Sequence, residues 1–270
     1  MSSYIQRRGE MIPLDQRQLI AKRYHTVTAA INSEFWSSYS DTANSLYVGS
    51  YGRNTAIDTS DIDILVVLPE QEYQRYDYSR GNGQSRLLQA VRKAILASYP
   101  RSDIRADGQV VKIAFTDGMN FEILPAFKSL DLFGRWTGTY RYPDTNMGGN
   151  WRTTNPKVEQ EAMAEKNRQS NGLLNDTCKH IRYIRDNFYS SYHLAGIVID
   201  SFVYSAIKGW AWNDSGFSRS LPGQYEQALY QAYSLLRFSG YKLSAPGSNQ
   251  TVDATDSIDC LGKVLKYIVG

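Results

Sequence analysis

Apolar residues recur at helical spacing over residues 14–36, where Leu19, Ile20, Tyr24, Val27, Ile31 and Phe35 fall on one face, so the spacing predicts one amphipathic helix. Leu46-Tyr-Val-Gly-Ser50 reads as a short strand ending in a turn. Asp61-Ile-Asp-Ile-Leu-Val-Val-Leu68 begins polar and becomes a continuous apolar run stopped by Pro69. That pattern predicts a buried central strand whose first residues emerge at a sheet edge or cleft. Residues 70–83 are polar, with Tyr73, Tyr76, Tyr78 and Gly81-Asn-Gly83, and read as a mobile loop. A helix over 84–98 follows, then strands near 109–115 and 119–124 joined by the turn Thr116-Asp-Gly118.

After residue 130 the pattern changes. Residues 134–155 are rich in Gly, Thr, Asn and aromatics and read as a long irregular crossing segment. Asn155-Pro156 then marks a helix start, with Asn at the N-cap and proline at the first helical position. Helical patterning dominates from there, over roughly 156–170, 171–188, 192–209, 222–238 and 255–268, and no internal repeat is visible. The expected architecture is α+β: residues 1–150 as a mixed-sheet lobe with the N-terminal helix packed on it or across the lobes, and residues 151–270 as a helical lobe closing a cleft.

Composition narrows the classes. A chain of 270 residues with 42% hydrophobic and 21% charged residues can bury a real core and gives no sign of disorder. The net charge of +3 suits a phosphate-rich ligand and is too small to argue for nucleic acid unaided. Cys178 and Cys260 stand far apart, and His25, His180 and His193 lack ligand spacing, which excludes an ordinary zinc site and a disulfide framework. The N-terminal Met1-Ser-Ser-Tyr-Ile-Gln-Arg-Arg has no apolar leader, and no run approaches the length of a membrane span. The expectation is a soluble cytoplasmic protein without membrane association.

Ten residues separate Ser50 from Asp61. Asp61 and Asp63, two apart on a strand, face one side while Ile62 and Ile64 face the other. Paired carboxylates at a strand's wet end make a hard-oxygen site suited to Mg²⁺ or Mn²⁺. Gly49 lets backbone approach a triphosphate without a Cβ in the way, and Ser50 offers a hydroxyl and an N–H. A helix starting just after Ser50 would aim its positive end at the same phosphates. A third carboxylate is expected on a neighbouring strand, and Phe121-Glu-Ile-Leu-Pro125 supplies Glu122. Two ions would then serve in-line attack of a ribose hydroxyl on an α-phosphorus, Glu122 helping to remove the proton. Asp58 and Asp103 read as surface or turn residues. Tyr73, Arg75, Tyr76 and Arg80 read first as a plain surface loop and second as a nucleic-acid contact.

Gly-Ser-Tyr-Gly-Arg-Asn-Thr-Ala-Ile followed by Ser-Asp-Ile-Asp-Ile-Leu-Val resembles the polymerase-β-like nucleotidyltransferases. With Phe-Glu-Ile-Leu-Pro-Ala-Phe, Asn155-Pro156-Lys157, Lys-His-Ile-Arg-Tyr and the Ser-Ser-Tyr-His-Leu run at 190–194, it is most similar to the CD-NTases, bacterial relatives of cyclic GMP-AMP synthase. The resemblance implies a two-lobed enzyme that makes cyclic di- or trinucleotide messengers from ATP, UTP, GTP or CTP, passed to a downstream effector in anti-phage defence. It implies Asp61, Asp63 and Glu122 as the metal triad and Gly49 and Ser50 as the phosphate loop. Lys179 and Arg182, at i and i+3 on one helix, would clamp a triphosphate. The family places lysine where Arg182 stands, a departure at that contact. Ser191 would bond a phosphate, Tyr192 would stack on the donor base, and Asn167 would read a base edge. Asn167 inclines the reading toward a uridine-containing dinucleotide. The chain lacks the zinc module by which the animal enzyme engages DNA, so no nucleic-acid activator is expected, and the chain is expected to be monomeric. Two alternatives stand beside this reading: a nucleotidyltransferase that modifies RNA, protein or a small molecule, and a non-catalytic nucleotide-binding module. The intact acid set argues against the second of these.

Overall fold

The computed structural model describes residues 4–213 and 223–270, and within it the chain separates into two compact units. One, the sheet unit, comprises Pro13–Gly52 and Asp61–Asn155; the other, the helical unit, comprises the segment up to Ile12, Arg53–Ser60 and the chain from Pro156 on.

The sheet unit opens with α1 (Leu14–Trp36), whose buried positions Ile20, Tyr24, Val27 and Ile31 keep the helical period read from the sequence. It continues through β1 (Ser45–Tyr47), a single helical turn α2 (Gly49–Gly52) and β2 (Ile62–Val67). Next come α3 (Glu70–Asp77), α4 (Gly83–Ser98), β3 (Asp103–Asp107), β4 (Val110–Ala114) and β5 (Asn120–Leu130). A last hairpin, β6 (Trp136–Asp144) with β7 (Asn150–Thr154), completes the unit. The strand order is β1-β2-β5-β4-β3, with β6 on the far half of β5 and β7 on β6. Only β2 and β5 run parallel, so the sheet is mixed, as expected. α1 and α4 pack against each other and against the sheet. Asn82 caps α4 by accepting the Ser85 N–H at 2.9 Å.

Three expectations need correction. Residues 70–77 are helix α3, not loop: the Glu70 carboxylate accepts from Arg141 at 3.0 Å, and Tyr73 packs edge-on against Phe127, which gives a polar segment a tertiary reason to coil. Tyr73 and the buried Tyr76 are therefore packing residues, which removes them from a nucleic-acid surface. Residues 136–154 form the β6–β7 hairpin, whose Gly, Thr and Asn content hid its alternation. Finally, α2 is four residues long, too short for the dipole argument made for it, so only its local N–H groups and the Ser50 hydroxyl remain relevant.

The helical unit is built on α5 (Pro156–Gln169), α6 (Leu173–Phe188), α7 (Gly196–Ala206), α8 (Gln224–Leu235) and α9 (Ile258–Val269), with a small hairpin of β8 (Lys242–Ser244) and β9 (Thr251–Asp253). Pro156 occupies the first helical position of α5. α9 shows why these segments are helices: Cys260, Leu261, Val264, Leu265 and Ile268 are all buried, at the spacing of one helix face. They share a core with Leu174, Ile181, Phe202, Val203 and Leu229. The helix expected over 192–209 starts only at Gly196, because residues 191–195 run as a turn and an extended stretch, with Ala195 at φ −65° and ψ 140°. Residue 222, at the edge of the expected fourth helix, and the first three residues of the N-terminal stretch lie outside the described residues. Among the described residues, no helix is long and apolar enough to cross a membrane.

Candidate active site

The site begins with the register of two parallel strands. Asp63 of β2 lies opposite Glu122 of β5, and neighbours in such a pair point to the same side of the sheet. The alternating residues Ile62, Ile64, Phe121 and Ile123 are all buried, between 0 and 2% exposed, so the acids take the other face by default. Further along the acidic face, Leu65, Val67, Val48, Ala126 and Tyr140 form a small apolar cluster that anchors the strands behind the carboxylates.

The Gly-Ser turn sits directly on Asp63. The Val48 N–H donates to the Asp63 carbonyl at 2.9 Å, and Gly49 follows with φ +59°. A Cβ placed on Gly49 would fall 1.7 Å from Asp63 Oδ2, so glycine is required by close approach as well as by backbone conformation. Gly49→Ala is expected to lower activity about 10- to 100-fold by displacing the carboxylate, together with a lower unfolding midpoint. Steady-state rates and thermal melts check this, and a fully active alanine variant would contradict the packing described.

Asp61 and Glu122 line one hollow of about 300 Å³ with Asp103, Arg105, Lys112 and Asn120. Lys112 Nζ lies 3.3 Å from Glu122 Oε1 and 3.0 Å from Asp107 Oδ2. The hydrogen bond to Asp107, joined by the charge of Glu122, holds the Lys112 ammonium above its ordinary pKa despite partial burial. Lys112 escaped the sequence reading, although a signal existed. The turn after Phe115 sets the β4–β5 register, which places Lys112 opposite Glu122. Among the described residues, no three carboxylate, imidazole or thiol groups are already drawn together as a ligand set. Three like charges on one face repel, and Lys112 gives Glu122 a nearer partner. The donor set itself, oxygen only and without thiol or imidazole, fits a hard divalent cation.

The remaining five candidates lie in the helical unit. Arg182 is 1% exposed; its Nη1 donates to Asp200 Oδ1 at 2.8 Å and its Nη2 to the Gly196 carbonyl at 3.0 Å. That corrects the expectation of a phosphate clamp: a buried guanidinium requires a carboxylate, and α7 supplies it. Lys179 is also buried, its Nζ donating to the Gly9 carbonyl at 2.7 Å with Glu10 at 3.6 Å. Ser191 is exposed in the turn after α6. Tyr192 is 43% exposed, with Lys263 Nζ 4.9 Å from its ring centre. Asn167 is half-buried and its Oδ1 accepts the Asn175 N–H at 3.0 Å, so that oxygen is engaged within the helical unit.

A larger hollow of about 670 Å³ opens in the helical unit against α7, α8 and β8, lined by Phe202, Trp210, Leu235 and Leu243 among others. It carries no carboxylate among its described lining residues, so chemistry rather than size marks the candidate site.

The family model for the Second Messenger Oligonucleotide or Dinucleotide Synthetase domain matches residues 2–167. That stretch contains Gly49, Ser50, Asp61, Asp63, Glu122 and Asn167 and ends before Lys179. A probable cyclic nucleotide synthase of Bacillus cereus (strain VD146) is 24% identical over 216 residues, covering 69% of this chain. The chain spans 62% of that relative's length. Among solved structures, the CdnE cyclic dinucleotide synthase of Elizabethkingia meningoseptica, solved with GTP and Apcpp, superimposes with a TM-score of 0.64. It is 13% identical, and the match covers 98% of this chain and 94% of that one. The STING-associated CdnE c-di-GMP synthase of Capnocytophaga granulosa gives a TM-score of 0.65 at 14% identity, covering 93% and 77% of the two chains. At such identities the superpositions establish the fold alone.

Proposed function

Because the chain belongs to the Second Messenger Oligonucleotide or Dinucleotide Synthetase family, the CD-NTases, we propose that it joins nucleoside triphosphates into a cyclic oligonucleotide, a dinucleotide in the first instance. The observation that carries the reading is the register pairing of Asp63 with Glu122, with Asp63 seated against Gly49 of the Gly-Ser turn. Asp61, Asp63 and Glu122 would hold two Mg²⁺ or Mn²⁺ ions. When bound, such ions neutralise a triphosphate and acidify a ribose hydroxyl. The Ser50 hydroxyl and the N–H groups of α2 hold the phosphates, and Glu122 accepts the proton of the attacking hydroxyl. The new bond forms between that oxygen and the α-phosphorus, and pyrophosphate leaves with the electron pair of the broken P–O bond. A second transfer of the same kind closes the ring. The Tyr192 ring provides a face for the donor base, and the product serves as a messenger to a separate effector in defence against phage.

The test supplies purified protein with Mg²⁺ or Mn²⁺ and labelled ATP, UTP, GTP and CTP, without any acceptor. The expected result is a phosphatase-resistant product whose mass is that of a cyclic dinucleotide, with uridine as one of its bases. Labelled RNA or protein as the sole product would reject cyclisation in favour of macromolecule modification. Asn167→Ser is expected to shift the preference among the four triphosphates by about tenfold, the worth of one polar base contact. Mass spectrometry of products from an equimolar mixture reads this directly, and an unchanged ratio removes Asn167 from the base pocket.

A further inference from the structure

Between Ser50 and Asp61 the chain leaves the sheet unit, since Arg53–Ser60 is part of the helical unit. There it is held by a buried ionic network. Arg53 Nε donates to Asp200 Oδ2 at 2.8 Å, and Thr55 Oγ1 donates to the same oxygen at 3.1 Å. Arg53 Nη1 reaches Glu159 Oε2 at 3.3 Å, while Ser248 donates to the other Glu159 oxygen at 3.2 Å. Asp200 Oδ1 accepts from Arg182, which thereby fixes the carboxylate from behind. Asp200 and Thr55 are 0% exposed and Arg53 only 9%.

Such a network is a poor device for stability alone. Ions withdrawn from water lose solvation that their mutual attraction barely repays, and well-packed apolar side chains often serve as well. What it provides is direction, because a guanidinium fork and a hydroxyl meeting one carboxylate fix both angle and distance. The segment fixed in this way joins the Gly-Ser turn to the first acid of the site.

Resting on the nucleotidyltransferase reading, we propose that Asp200 is a positioning residue that acts through Arg53 and Thr55 to hold the connection between Ser50 and Asp61, and so sets where those two residues stand. Asp200 touches no substrate in this role. Its effect is on the geometry of the transfer step, so it belongs to kcat rather than to nucleotide affinity.

The experiment compares wild type with Arg53→Gln, Arg53→Lys and Thr55→Val. Steady-state kinetics are read with Mg²⁺ and NTPs well below the unfolding midpoint, and hydrogen exchange is followed over peptides covering 49–63. Arg53→Gln is expected to lower kcat about 10- to 100-fold with KM within about twofold. Arg53→Lys should recover part of that loss. Thr55→Val, which removes one hydroxyl and keeps the ion pairs, should lower kcat by a smaller factor. Exchange in the variants should quicken over 53–60 while the amides of α6 and α9 stay protected. Unchanged kcat in folded Arg53→Gln would overturn the proposal, as would unaltered exchange over 53–60. If wild type turns over no nucleotide, the enzymatic reading fails by itself, and the exchange result alone then decides whether Asp200 holds the segment.

Discussion

Asp63→Asn is expected to reduce NTP-dependent product formation by at least about 10³-fold while leaving the fold intact. Asparagine has nearly the shape of aspartate, so the close fit against Gly49 and the pairing of β2 with β5 survive. What disappears is one negative charge at a place where charge is the function. A neutral amide is a much weaker ligand for a divalent cation than a carboxylate, and several kcal/mol of transition-state stabilisation go with the lost charge, each ~1.4 kcal/mol being tenfold in rate. Asp103→Asn is the matched control. It removes a carboxylate from the hollow that Asp61 and Glu122 line, but Asp103 is paired with Arg105 at 2.8 Å on an exposed strand, and most activity should remain. Initial rates at saturating Mg²⁺ and the four triphosphates, with thermal melts of each variant, separate the outcomes. An Asp63→Asn enzyme working at near wild-type rate would end the catalytic assignment. Equal losses in the two variants would mean that the hollow responds to net charge and not to particular ligands.

What the sequence showed, it showed through short periods. Asp61 and Asp63 share a face because a strand repeats every two residues, and Glu122 could be placed because it too is polar between buried neighbours. α1 was legible for the same kind of reason, its buried Ile20, Tyr24, Val27 and Ile31 recurring on one helix face. The failures are the places where tertiary contacts decide. α3 has one buried side chain and is held by Arg141–Glu70 and by Tyr73 against Phe127 and Trp151, partners roughly fifty to eighty residues away in the chain. The β6–β7 hairpin pairs residues whose composition favours irregular chain, and its turn contains a non-glycine residue, Met147, at φ 51°. The role of Arg182 was misjudged because nothing near it in sequence announces Asp200. An i, i+3 pair of cations looks the same from outside whether it faces solvent or a carboxylate on the next helix.

Asp200→Ala is the second large effect, and it falls on stability. The wild-type side chain neutralises two buried guanidinium groups, and its removal leaves, among the described residues, Arg53 with Glu159 and Arg182 with carbonyl partners. Breaking a buried pair from one side costs ~3–5 kcal/mol, because the orphaned charge remains out of water. For a chain of this size that corresponds to an unfolding midpoint lower by about 6–15 °C. The same group sets an acid limb. Burial alone raises the Asp200 pKa, but the charges and hydrogen bonds of Arg182 and Arg53 outweigh it and bring the pKa from 3.8 to about 2. A carboxylate with a lower pKa folded than unfolded stabilises the fold fully above pH 4, and that contribution drains away as pH falls toward 2. It amounts to ~2 kcal/mol. Glu159 runs the other way, since burial outweighs the pull of Arg53 and raises its pKa, so its contribution is present below pH 4.5 and lost as pH rises. Asp117, Asp131, Asp144 and Asp253 are also held below the ordinary carboxylate range by hydrogen bonds and nearby cations and share the loss between pH 4 and 2, so urea unfolding across that range should show a shallower slope in Asp200→Asn than in wild type. An identical slope in the variant would mean that other carboxylates carry the acid limb and that the two arginines do not depend on this anion.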